Sequence, residues 1–236
     1  RLLKVVNSAF YGLPRQIGSI NRAIVLLGLN AVKNIAIAAS LNKLFRGGQL
    51  CPRFAARDLW IHSIGTAVGS KLICDELKMG LPDEAFLAGL IHDIGIMVEM
   101  QSMRDQLIKV FEEMKFNGDS IAESNFREIE QNITKVDHCM LGAGLCEQWK
   151  FPKSFAYVTG YHHNPEEAPL ANRNLVWVVA TADRLAAQSN LGFRADLMGY
   201  EIPEQALAEL HLTSDQVKSM RDRLPKLYEE IEATFR

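Results

Sequence analysis

The chain has 236 residues, 48% apolar and 23% charged, the balance of a folded globular protein with material for a sizeable core. A formal net charge of -2 gives no overall electrostatic reason to expect nucleic acid or an anionic membrane surface as a partner. No apolar run approaches the roughly 18 residues that span a bilayer, and RLLKVVNSAF lacks the apolar stretch and cleavage site of a signal peptide.

Apolar residues recur at three- and four-residue spacing while strict alternation is scarce, so an all-α fold is expected. A first short helix spans Leu2 to Tyr11 and ends at Gly12 and Pro14; a second runs from Ser19 to Leu27. Asn30 reads as the cap of a third, Ala31 to Phe45, which stops at Gly47 and Gly48. After Cys51 and Pro52 a long helix continues to about Lys78, and Gly80 and Pro82 precede the next, which carries Ala85 to Met100. Helices follow from Met103 to Lys115, closed by Asn117 and Gly118, from Ser120 to Glu130 and from Val136 to Trp149. Pro152 opens a helix that Asn164 and Pro165 end, and a polar loop leads to Arg173. Asn174 reads as the cap of Leu175 to Ala187, and two last helices cover Pro203 to Leu210 and Ser214 to Ala233, with Pro225 kinking or dividing the second.

No fixed-period repeat or low-complexity tract is present. The Gly-rich, polar Arg46–Pro52 segment divides a small N-terminal helical lobe, residues 1–48, from a larger helical body, residues 52–236, the two forming one unit. Four irregularly spaced cysteines, Cys51, Cys74, Cys139 and Cys146, form no disulfide framework, which points to a reducing, cytoplasmic compartment. Cys139 and Cys146 read as packing residues, and Trp60, Trp149 and Trp177 as core or lobe-interface anchors.

The chemistry lies in the histidines: His62, His92, His138, His162, His163 and His211. His92 and Asp93 adjoin in AGLIHDIGI; on a regular helix they would point about 100° apart, so both reach one ion only at a helix end or distorted turn, where Gly95 supplies a local weakness. Asp183 interrupts the apolar VVATADRLA, and an interior carboxylate needs a cation or donors. Imidazole and carboxylate side chains projecting from several helices are how bundle cores hold Zn, Fe or Mn. Taken singly, each has a plainer reading: His62 or His138 as a satisfied core histidine, His162 and His163 as a doublet on a helix C-terminus, Asp93 or Asp183 paired with Arg184 or Arg173. The combination carries the weight.

That combination resembles a known family. The order His, His-Asp, His, His-His, Asp is similar to the HD superfamily of metal-dependent phosphohydrolases, in the pattern of its HD-GYP branch. LLKVVNSAFYGLPRQIGSINRAIVLLGLNAVKNIAIA resembles the HDOD family, and the likeness continues through LWIHSIGTAVGSKL, AFLAGLIHDIG, VDHCMLGAGLCEQWKFPKSF and YHHNP to TADRLA. It implies an HD-like helical bundle with a small N-terminal lobe, working as a bacterial-type signalling output domain with a protein partner. LLKVVNSAFYG matches the middle of that lobe and residue 1 is not Met, so further helices are expected upstream. Asn7, Ser8, Phe10 and Tyr11 belong to the family's N-terminal signature, Asn7 being expected to bond between helices.

By position the resemblance implies that His62, His92, Asp93 and Asp183 hold one metal and that His138, His162 and His163 hold a second, with Asp93 bridging. One or two divalent ions are implied, Fe or Mn, with Zn or Ni as alternatives. Two departures bear on activity: the hydrolases place a Lys after HDIG where this chain has Ile96, and a GYP signature where this chain has NPEEAPLANRN. With no cationic clamp evident, charge on a transferred phosphoryl group would rest on the metals alone. A non-catalytic regulatory role therefore leads. The alternatives are a phosphohydrolase acting on nucleotides or cyclic dinucleotides, with Asp93 as its catalytic carboxylate, and a nucleotide or anion sensor without turnover; the oligomeric state stays open.

Overall fold

The computed structural model describes residues 2–8, 11, 13, 15–46, 48–117 and 121–235. The helix ends read at Gly12, Pro14, Gly47 and Gly118, the helix start at Ser120 and the signature residue Phe10 lie outside these.

Three helices make the N-terminal part: α1 (Leu2–Val6), α2 (Ile20–Leu27) and α3 (Leu29–Leu41). The Ser19 hydroxyl caps α2 by accepting from the Arg22 N–H. Gly28, at φ +87°, is both the end of α2 and the start of α3, a conformation open chiefly to glycine. Asn30, read as the cap, therefore sits inside the first turn of α3, and Leu44–Arg46 is a separate 3-10 turn. Asn7 bonds to a connection rather than to a second helix: its Oδ1 accepts from Ile17 N–H at 2.6 Å and its Nδ2 donates to the Ile17 carbonyl at 2.9 Å.

The polar segment after α3 forms a short antiparallel ribbon, β1 (Gln49–Cys51) and β2 (Phe54–Ala55), which the sequence pattern gave no reason to expect. Two strands alone are marginal in water. Phe54 anchors them, fully buried against Phe111 at 4.8 Å and Phe193 at 5.0 Å between ring centroids, a burial that stabilises by about 2–3 kcal/mol.

The body is built round α4 (Ala56–Glu76), most of whose residues are buried, because α5 (Pro82–Ile91), α11 (Arg173–Gln188) and α13 (Ser214–Phe235) all pack on it. The single helix expected over Ala85–Met100 is two, α5 and α6 (Ile94–Ser102), parted at His92–Asp93. Then come α7 (Arg104–Glu113), α8 (Phe126–Thr134), α9 (His138–Gln148), α10 (Lys153–Tyr161) and, after α11, α12 (Glu204–Leu210). Asn125 caps α8 through the Glu128 N–H, which starts that helix later than read. Asn174 lies within α11, and the loop before it holds two 3-10 turns, Pro165–Glu167 and Leu170–Asn172. α13 runs through Pro225 undivided.

One hydrophobic core extends from Val5 to Phe235. The end of α13 closes on the N-terminal helices: Lys4 Nζ donates to the Ala233 carbonyl, Asn42 Nδ2 to that of Phe235, and the Phe235 ring meets Trp60 edge-on at 5.5 Å. Trp60 and Trp177 are buried as expected, whereas Trp149 is 40% exposed and anchors no core. All four cysteines are free. Among the described residues no helix is long and apolar enough to cross a membrane.

Candidate metal centre

The break between α5 and α6 makes the site. His92 and Asp93 form a tight turn there, so two adjacent side chains that a continuous helix would splay enter one cavity, with His92 Nε2 3.2 Å from Asp93 Oδ2. Gly95 serves this by close packing rather than by local weakness. A Cβ at that position would run into the His138 carbonyl, so only glycine lets α6 lie against the start of α9 and bring Asp93 to His138.

Four imidazoles are oriented in the same way. His92 Nδ1 faces the Gly89 carbonyl at 2.8 Å, His62 Nδ1 the Leu191 carbonyl at 3.2 Å, and His162 Nδ1 the Val158 and Thr159 carbonyls at 3.2 and 3.1 Å. A carbonyl only accepts, so these Nδ1 atoms carry a proton, and Nε2 is the nitrogen each ring turns to the cluster, where it would meet a cation on giving up any proton of its own. His138 Nδ1 lies 2.8 and 3.0 Å from the two Glu130 oxygens. The Nε2 atoms turn inward: His62 to Asp183 Oδ1 at 3.0 Å, His162 to Asp93 Oδ1 at 3.2 Å, and His138 to His163 Nε2 at 3.1 Å.

All seven side chains singled out from the sequence thus meet, drawn from α4, the α5–α6 turn, α9, the end of α10 and α11. They fall into two groups, in each of which the potential ligand atoms lie within 4.8 Å of one another: His62, His92 and Asp183 in one, and Asp93, His138, His162 and His163 with Asp196 in the other. Asp93 stands between them, Oδ2 toward His92 and Oδ1 toward His162 and, at 3.7 Å, His138. Six of the seven are at most 1% exposed, while the His163 side chain, at 9%, is the one nearest solvent. His211, exposed after α12, takes no part. Asp183 is balanced by His62 and not by arginine, since Arg184 and Arg173 donate to the Ala180 and Ala168 carbonyls.

The electrostatics are those of a cation site. Buried and without a hydrogen-bond partner are His92 Nε2, His162 Nε2, both oxygens of Asp93 and of Asp196, and Asp183 Oδ2. Their short separations are charge contacts that lack hydrogen-bond geometry. Burying unpaired carboxylate oxygens costs several kcal/mol, roughly, unless a cation faces them. Burial drives the His163 imidazole well below its usual range, reinforced by His162 and His138, and lowers that of His162, so both present neutral nitrogens. Burial also opposes charge on His92, but Asp93 outweighs it and carries the imidazole up to about 9. Burial, then the charges of Asp93 and Asp183, push Asp196 up to about 8. Imidazole nitrogens and carboxylate oxygens around one cavity suit Fe, Mn or Zn, so the residues present fit a metal.

Three carboxylates at the site were not nominated from the sequence. Asp196 lies in irregular chain between α11 and α12, where no periodicity marks a buried position. Glu130 belongs to α8, four residues after the buried Phe126 on the face that also carries Ile129 and Ile133, one acidic residue among several on a charged helix. Glu99 did carry a signal, since it interrupts IGIMVEMQS as Asp183 interrupts its own apolar run; it is fully buried, and burial with the Glu130 charge raises its carboxyl to about 9. Asp137, held by Arg127 and Gln131, caps α9 through the Met140 N–H and so fixes the helix end that bears His138. Cys139, read from the sequence as a packing residue, also places its sulfur within the same 4.8 Å of potential ligand atoms of His138, His162 and His163, although burial raises its thiol.

The fold and site define a helical bundle built round a buried histidine–carboxylate cluster. The family model "HDOD domain" matches residues 1–165, more than half of the sequence, and the chain belongs to the HDOD family. An uncharacterized protein of Treponema pallidum (strain Nichols) is 26% identical over 222 residues, 91% of this chain, which spans only 40% of that relative's length. Among solved structures, a protein of Marinobacter aquaeolei VT8, provisionally designated a signal transduction protein, superposes with a TM-score of 0.75 at 20% identity, over 99% of this chain and 51% of its own. A protein of Shewanella amazonensis SB2B, provisionally designated a metal-dependent phosphohydrolase, gives 0.66 at 18% identity, over 100% and 79%. At these identities the likeness shows the fold.

Proposed function

We propose that this chain is an HDOD signal-transduction module whose cluster holds one or two divalent metal ions, Fe or Mn ahead of Zn or Ni. His62, His92, Asp93 and Asp183 would form one ligand set, and His138, His162 and His163 the other, with Asp93 common to both. The observation that carries this reading is the uniform setting of the imidazoles: carbonyls or Glu130 hold Nδ1, and Nε2 turns toward Asp93 and Asp183, of whose oxygens both of Asp93 and Oδ2 of Asp183 lack any donor. Such an ion, when bound, supplies Lewis acidity toward a water or a phosphoryl oxygen.

A regulatory role is favoured over efficient turnover. Ile96, where the hydrolase pattern has a Lys, is completely buried, and six of the seven ligand candidates are closed to solvent. The signal-transduction designation of the Marinobacter neighbour points the same way. In this reading residues 1–48 and 52–236 are lobes of one unit acting in the cytoplasm, and their surfaces engage a signalling protein. A phosphohydrolase is the second reading, supported by the completeness of the cluster and the designation of the Shewanella neighbour.

Crystals grown without oxygen test the proposal by anomalous diffraction at the Fe, Mn and Zn edges. A peak between His92 and His162 is expected. Featureless maps at every edge would remove the metal reading, and turnover of a cyclic dinucleotide by the loaded protein would move the assignment to the hydrolase.

A further inference from the structure

Beside the cluster lies a cavity of about 150 Å³ lined by His163, Trp177, Ala180, Arg184 and Gln205, with the exposed Glu166 on its wall. Trp177, Ala180 and Arg184 follow one another at three and four residues on α11, so they form one stripe of that helix. Asp183, a single step further round, turns instead to His62. The same helix therefore faces the cluster with a carboxylate and the adjoining cavity with a guanidinium.

This wall is rich in unused donors. Arg184 carries five N–H groups, and the hydrogen bond seen among the described residues is from Nη1 to the Ala180 carbonyl of its own helix; it makes no salt bridge there. The indole N–H of Trp177 is buried without a partner, a loss that an acceptor in the cavity would repair. His163, the least buried member of the cluster, lines the cavity together with both. The volume equals that of about five water molecules, enough for a tetrahedral oxyanion.

We infer that this cavity is a phosphate-binding subsite, in which Arg184 and Trp177 grip the anion at the solvent side of the metal cluster. The inference rests on the metal reading for its setting and supplies what the sequence seemed to lack: a cationic clamp, placed on α11 instead of after HDIG. A guanidinium fork and an indole N–H fit phosphate oxygens, whether those of the free ion or the end of a phosphomonoester whose remainder stays outside.

Calorimetric titration of the Mn-loaded protein with inorganic phosphate and with AMP, alongside metal analysis of the same samples, tests this. Wild type should bind phosphate, Arg184→Gln should bind it about tenfold or more weakly, and Trp177→Phe, which keeps the packing ring, roughly threefold to tenfold more weakly, all with unchanged metal content. Should Arg184→Gln not fold, Trp177→Phe carries the comparison. AMP binding that is lost in the same variants identifies a phosphomonoester; binding of phosphate alone identifies the free ion. No binding to wild type, or wild-type affinity in both variants, overturns the subsite. If wild type holds no metal, that measurement alone ends the metal reading, and the same comparison on metal-free protein still decides the subsite.

Discussion

Glu130 holds Nδ1 of His138 between its two oxygens, at 2.8 and 3.0 Å, while Nε2 of the same ring looks into the cluster. A carboxylate behind a ligating imidazole fixes its orientation and raises its basicity, and losing such a partner costs roughly 10–100-fold in metal affinity. Glu130→Gln is expected to keep the fold, since the amide fills the same space, and to bind Mn or Zn at least about tenfold more weakly. Competition against a chromogenic chelator measures it; unchanged affinity would mean that Glu130 merely fills α8.

Gly95→Ala addresses the packing that brings α6 to α9. The added methyl group would meet backbone, the His138 carbonyl, and backbone cannot rotate away as a side chain can. The variant is expected to lose about 3 kcal/mol or more in urea unfolding, in the range of strained overpacking. A loss under about 1 kcal/mol would show that the two helices separate freely.

Glu99 gives a pH dependence with a definite sign. Its carboxyl stands at about 9 in the folded protein against an ordinary 4.5, so between those values the folded chain keeps a proton that the unfolded chain has released. The stabilising proton is fully present below the lower value and is lost as pH rises through the upper one, so this group makes stability fall with rising pH. Glu99→Gln cannot ionise and should reduce that slope, leaving the variant roughly 1–3 kcal/mol less sensitive than wild type to a change from pH 6 to 8.5 in urea melts. Parallel slopes for the two proteins would contradict the assignment.

How much of this was legible beforehand differs by element. The spacing of apolar residues showed the helices, and the sequence order of His62, His92–Asp93, His138, His162–His163 and Asp183 marked the side chains that converge. Hidden were features fixed by contacts distant in sequence. The break at His92–Asp93 lies inside an unbroken apolar run, and Gly95 serves there for its lack of a Cβ against α9, which no local pattern displays. Asp196 sits in chain without periodicity, and Glu130 is buried on the same helix that leaves Glu128 exposed, a contrast set by what packs over each. The ribbon of Gln49–Cys51 and Phe54–Ala55 is likewise held by Phe111 and Phe193, far along the chain. Arg184 could be read as a partner for Asp183 until the helix stripe set the two apart.

Asp93 offers one oxygen to each half of the cluster, so its removal should disturb both halves at once. The direct test is metal analysis of protein purified without oxygen, as wild type and as Asp93→Ala, with circular dichroism to verify that both are folded. A bound Fe or Mn in wild type, at roughly one or two ions per chain, and its loss from the folded variant are the expected result. Wild-type protein free of metal after incubation with Fe, Mn and Zn, or a variant that retains its full complement, would contradict it.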